Sequence, residues 1–144
     1  MKKSRIIEML PSISFGDGVS GDCLAIKREL REKGYEVEIY ADHIDGRLEK
    51  GSAKSTNELP RLNENDIILY HLAIGTDLNL KMLEMPGKKI IRYHNITPPE
   101  FFEGYSDRLV QLCRDGLIQV AGMTARFHHL LSVSEFNRSC LSEM

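Results

Sequence analysis

Five short apolar runs, each set off from the next by a stretch of helical spacing or by turn residues, constrain this chain more than any other feature. Residues 5–10 form the first run, closed by Pro11, and residues 36–40 an alternating second. The others cover residues 66–71, 89–94 and 129–133. The third and fifth hold consecutive apolar residues, as strands covered by helices on both faces do. Between the first two, Val19, Cys23, Ile26 and Leu30 share one face of a helix, and Gly34 stands where its C-terminal cap belongs. Lys27, Arg28, Glu29, Arg31 and Glu32 fall mostly on its solvated side. A shorter helix runs from an Asp77 N-cap to Met85 and stops at Pro86-Gly87. A longer one covers residues 107–121 with Leu109, Leu112, Gly116 and Val120 on one side; Gly122 either caps it or sits within it. The last starts after an N-cap Ser134 and carries Phe136, read as core, and Cys140.

This alternation predicts one α/β domain. It is a doubly wound, mostly parallel sheet of about five strands with helices on both faces, Rossmann-like, joined by right-handed crossovers. Residues 41–65 do not fit the pattern, and read as a surface loop or an unresolved crossover. The 144 residues suit a single core that buries roughly two-thirds of the unfolded surface. With 19 Lys and Arg against 21 Asp and Glu, nothing supports nucleic-acid binding, which leans on clustered basic residues. Three widely spaced cysteines without a C-x-x-C look reduced, and no apolar run is long enough to span a membrane. The expected location is the cytoplasm, with peripheral contact at the inner face of the membrane as the alternative.

In an open parallel sheet, ligands bind beyond the carboxyl ends of the strands. The first such end leads into Phe15-Gly16-Asp17-Gly18-Val19-Ser20-Gly21-Asp22, where closely spaced glycines permit tight turning and close backbone approach. The helix start that follows suits a phosphate, a carboxylate or a sugar hydroxyl. The spacing matches neither G-x-G-x-x-G nor the Walker pattern, and a glycine turn with Ser20 or Asp22 simply capping the helix is an equal reading. His71 and His94 each end a strand at the same edge; either can bond a hydroxyl or phosphate oxygen, shuttle a proton, or tie down its own loop. Asn95 and the rigid Pro98-Pro99 follow His94. Glu135 and Asn137, in the first turn of the last helix, can face the cleft. The five histidines show no metal-ligand spacing, so no metal site is expected.

Several strand-end segments together resemble the N-terminal, acceptor-side half of retaining two-domain bacterial glycosyltransferases of the GT-B type, the large group that builds surface glycans. The likeness is carried by the glycine loop and helix of residues 15–31 and by Tyr70-His71-Leu72-Ala73-Ile74-Gly75. It continues through Arg92-Tyr93-His94-Asn95-Ile96-Thr97-Pro98-Pro99-Glu100-Phe101-Phe102 and ends with Ser134-Glu135-Phe136-Asn137. The resemblance implies transfer of a sugar from a nucleotide-sugar donor to a hydroxyl of a glycan or lipid-linked acceptor, with no obligatory metal. Gly16, Asp17, Gly18, Ser20 and Gly21 would approach the donor phosphates. His94 would bond the transferred sugar, His71 and Gly75 would lie on the acceptor side, and Asn95, Glu135 and Asn137 would line the cleft.

In that family a second domain carries most nucleotide contacts, and its paired-glutamate motif is absent here. This chain alone is therefore expected to hold no cofactor and to be inactive, its partner being a missing C-terminal domain or a separate donor-binding subunit. A weak homodimer through Phe15, Phe101 and Phe102 at the exposed cleft edge is also expected. The rival readings are a non-catalytic phosphate- or nucleotide-binding module and one subunit of a two-chain enzyme.

Overall fold

The computed structural model describes residues 4–144. Six parallel strands form one sheet: β1 (Arg5–Ile13), β2 (Glu36–Ile44), β3 (Lys54–Ser55), β4 (Ile67–Leu72), β5 (Lys88–Tyr93) and β6 (His129–Ser132). Their order is β3-β2-β1-β4-β5-β6, so the winding reverses between β1 and β4. Among the described residues, four α-helices connect and follow them: α1 (Gly18–Glu32), α2 (Asp77–Leu83), α3 (Asp107–Met123) and α4 (Glu135–Ser142). The domain is Rossmann-like and doubly wound, as the alternation of elements predicts.

The period of two in the strands sorts the core into layers. Ile7, Met9, Ile68, Tyr70, Ile91 and Tyr93 project to the side packed by α2 and α3, with Cys140 and Leu141 of α4 against its rim. Ile6, Leu10, Val37, Ile39 and Leu69 face the other side, where α1 supplies Val19, Cys23, Ile26 and Leu30. Because α1 covers that side alone, an open apolar groove of about 460 Å³ remains between Ile26 and Leu30 of α1 and the strand residues Ile67, Leu69, Ile90 and Leu131.

The sixth strand lies in the stretch that resisted reading. Lys54 and Ser55 pair with Tyr40 and Ala41 at the sheet edge, and two residues are too few to show a period. β1 runs on through Pro11 to Ile13 rather than stopping before it. Pro11 is tolerated because the pairing with β4 ends at Met9, leaving one side of the strand unladdered there. Thr76, not Asp77, holds the N-cap position of α2, and Gly122 lies inside α3. The buried stripe of α3 is Val110, Cys113, Gly116, Val120 and Met123, turned one residue from the expected side at its start.

Two burial expectations are corrected. Lys27 is buried on the helix flank, its Nζ donating to Ser52 O at 2.8 Å and pairing with Glu38 at 3.4 Å. Phe136 is exposed, not core, and β6 shows Leu130 and Leu131 to solvent because it is an edge strand on the uncovered part of the sheet.

Candidate functional site

A buried carboxylate and two histidines meet where the winding of the sheet reverses. Glu8 lies mid-way along β1, facing α1, and is fully buried. His71, near the end of β4 and equally buried, places Nε2 2.9 Å from Glu8 Oε2. His94 follows directly after β5, its backbone N–H held by Leu72 O at 2.9 Å. Its Nε2 lies 2.9 Å from His71 Nδ1. The ring centroids are 5.1 Å apart and the planes differ by 27°. The nitrogen gap plus one ring radius on each side accounts for that centroid separation, so the rings meet edge to edge with their nitrogens aimed at one another.

One arrangement of protons satisfies every contact of the group. Cys23 Sγ, on α1 above Glu8, donates to the same Oε2 at 3.3 Å. Burial raises the Cys23 thiol's pKa well above its usual range, so it keeps its proton for this bond. Glu8 Oε2 therefore accepts from two donors, one of them His71 Nε2–H. With His71 neutral, its Nδ1 is a lone pair and accepts from His94 Nε2–H. Burial above all lowers His94 to about 4, so its ring is neutral at pH 7, and with the proton on Nε2 its Nδ1 carries a lone pair. No hydrogen bond engages that Nδ1 among the described residues.

Asp22 closes the group from α1. Its carboxylate receives Arg92 through two N–H bonds, from Nε and, at 3.0 Å, from Nη2, and lies 3.6 Å from His94 Nε2. Partial burial opposes its charge, yet the Arg92 guanidinium holds its pKa below the ordinary value. Two sets of side chains, Glu8, Cys23 and His71 and then Asp22, His71 and His94, are close enough for a shared metal ion. The edge-to-edge rings argue against the second set, because the two lone-pair directions converge on each other and not on a common third point.

The glycine loop is largely satisfied by its own residues. Gly16 turns at φ +77°, a left-handed conformation that favours glycine. Asp17 caps α1, accepting from Ser20 N at 2.9 Å and from Ser20 Oγ at 2.6 Å. Buried Ser20 in turn accepts from Ser14 N at 2.9 Å. A carboxylate thus already occupies the helix start, the place an incoming phosphate would take. Gly18 and Gly21 differ: a Cβ on either would meet nothing within 4 Å, so packing within the chain does not require glycine there.

The other sequence candidates scatter. Gly75 is pressed on α3, where a Cβ would stand 2.4 Å from Gly116 N. Asn95 adopts φ +72°, a left-handed turn that Asn tolerates, and its Oδ1 accepts from Tyr93 OH at 3.3 Å. Glu135 is exposed and paired with Arg138 at 2.9 Å, whereas Asn137 is buried with its N–H capped by Ser134 Oγ. No hydrogen bond or ion pair links Glu135 or Asn137 to the histidine pair among the described residues. Glu8 escaped the sequence reading, although a lone carboxylate amid Ile6-Ile7-Glu8-Met9-Leu10 of a central strand was a usable signal. Comparison with protein-family models, curated proteins and solved structures found no match, so the functional reading stands on these residues.

Proposed function

We propose that this chain is the acceptor-side domain of a glycosyltransferase that moves a sugar from a nucleotide-sugar to a hydroxyl acceptor. The carrying observation is that His94, held by the buried Glu8–His71 pair, offers an unengaged ring nitrogen at the carboxyl edge of the sheet, next to the winding reversal. The glycine loop borders the same place, since Asp22 of α1 reaches His94 and Asp17 acts on it electrostatically. His94 binds and orients a sugar hydroxyl; its low basicity suits it poorly to general-base work at neutral pH.

Donor binding belongs to a second domain or a separate subunit. Arg92 and Arg47, cations at this edge of the sheet, are held by Asp22 and Asp45, and Asp17 sits at the helix start. That charge arrangement supports hydroxyl binding over diphosphate binding, and weighs against the phosphate-module alternative. Stabilisation of the departing diphosphate then falls to cations of the donor-binding partner. Exposed Phe15, Phe101, Tyr105 and Phe136, all from segments beyond strand ends, form the face that meets it.

Calorimetric titration of the chain with UDP- and GDP-sugars tests this division. No binding below millimolar concentration is expected; micromolar binding of any of them by the chain alone overturns it.

A further inference from the structure

We propose that Glu8 is a positioning residue: acting through His71, it keeps the proton of His94 on Nε2 and presents His94 Nδ1 to the ligand as a hydrogen-bond acceptor. The inference rests on reading His94 as a ligand-contacting residue, and goes further by fixing what the ligand must bring. A ring nitrogen with only a lone pair bonds a donor, such as a sugar hydroxyl, and repels an ionised phosphate or carboxylate oxygen. A histidine with its proton on Nδ1 would select the opposite.

The chain of contacts leaves little freedom. Glu8 Oε2 lies 2.9 Å from His71 Nε2, and the opposite nitrogen of the same ring lies 2.9 Å from His94 Nε2. His71 is fully enclosed, so no solvent competes for either of its nitrogens. Asp22 Oδ2, 3.6 Å from His94 Nε2, favours a proton on the same atom. Of the other charges that act on His94, Arg92 is neutralised by Asp22, and Asp17 is engaged as the cap of α1. A carboxylate holding the far end of a histidine is a recurrent way of choosing its tautomer. Here the choice is relayed through a second ring. Glu8 Oε1 is buried without a hydrogen-bond partner, a cost that packing alone does not explain, whereas Oε2 carries two donors.

Histidine-selective 15N–1H correlation spectroscopy on the 15N-labelled chain at pH 7 reads each ring's tautomer directly. The expected wild-type result is His94 protonated on Nε2 alone, with His71 also protonated on Nε2. In Glu8→Gln the side chain can present either an oxygen or an NH2 group to His71. His94 should then pass from a single tautomer to a mixture of comparable populations, with the His43 and His128 signals unmoved as a check on the fold. In His71→Asn, the Asn oxygen replaces the Nδ1 lone pair and disconnects Glu8. His94 should there keep its Nε2 proton, and adding Glu8→Gln should change nothing. A wild-type His94 protonated on Nδ1, or a doubly protonated His71, overturns the proposal, as does an unchanged His94 tautomer in a folded Glu8→Gln. The wild-type spectrum decides even if a variant does not fold. A correct tautomer without saccharide binding would instead remove the functional reading and leave the relay intact.

Discussion

Gly75→Ala should be among the most damaging single-methyl changes in this domain. The added Cβ would lie 2.4 Å from Gly116 N, 2.6 Å from Leu112 O and 2.9 Å from the carbonyl carbon of Asp115. All three are backbone atoms of α3, so no side chain can rotate out of the way. Ordinary contact begins near 3.4 Å, so α3 must retreat by about 1 Å. That retreat breaks the 3.0 Å bond from Gly75 N to Leu112 O. Overpacking costs about 1–3 kcal/mol and the lost buried hydrogen bond about 0.5–1.5 kcal/mol. The sum, about 1.5–4.5 kcal/mol, is a large share of the stability of an ordinary domain, about 5–15 kcal/mol. Urea unfolding followed by far-UV circular dichroism measures it, and the midpoint should fall by about 1–2 M. Gly21→Ala is the control, because a Cβ there meets nothing and the site is helical. It should gain about 0.5–1 kcal/mol while weakening saccharide binding, if the open space beside it receives ligand. A Gly75→Ala domain within about 0.5 kcal/mol of wild type would refute the packing argument, as would Gly21→Ala being equally harmful.

Three further outcomes are expected. His94 titrates near 4 when folded and near 6.5 when unfolded, so the unfolded chain binds the extra proton between those values and stability falls as pH drops through that window. The loss by pH 4 should reach roughly 2–3 kcal/mol, read as urea midpoints at pH 7.5, 5.5 and 4.5; a His94→Gln variant with the same slope contradicts it. Asp66→Ala should cost about 2–4 kcal/mol by thermal melting, because nearly buried Asp66 receives Arg5 through two bonds of 2.9 and 2.7 Å and also caps Asn63 N; a change under 1 kcal/mol would count against it. Sedimentation velocity over a concentration series should show weak self-association that Phe101→Asp reduces, since Phe15, Phe101 and Tyr105 are exposed together on strand-end segments; association unaffected by Phe101→Asp would place the contact elsewhere.

The sheet was readable because its strands carry short apolar runs set off by turns and helical spacing, and β2, β4, β5 and β6 stand within a few residues of expectation. What failed lay at edges, where tertiary context overrides local pattern. β3 pairs through two residues, Pro11 is accommodated by a missing neighbour, and Phe136 and Leu131 are exposed at the β6 edge of the sheet. At the site, His71 and His94 were legible from their strand-end positions. Glu8 was marked only by the apolar strand around it, and its role comes from a partner 63 residues away. Asp17 and Ser20 were found, but as a cap and its support; Gly75 as a close helix contact. No helix is long and apolar enough to cross a membrane among the described residues, as the charge-interrupted runs implied.

The central claim is that the carboxyl edge around His94 takes a sugar hydroxyl while the nucleotide is bound elsewhere. Amide and histidine 15N–1H spectra recorded during titration with simple methyl glycosides, and separately with inorganic pyrophosphate, test it most directly. Glycosides at millimolar concentration should shift His94, Asn95 and the amides of residues 16–21, and the shifts should vanish in His94→Ala. Pyrophosphate binding at the start of α1, with no response to any glycoside, would contradict the account.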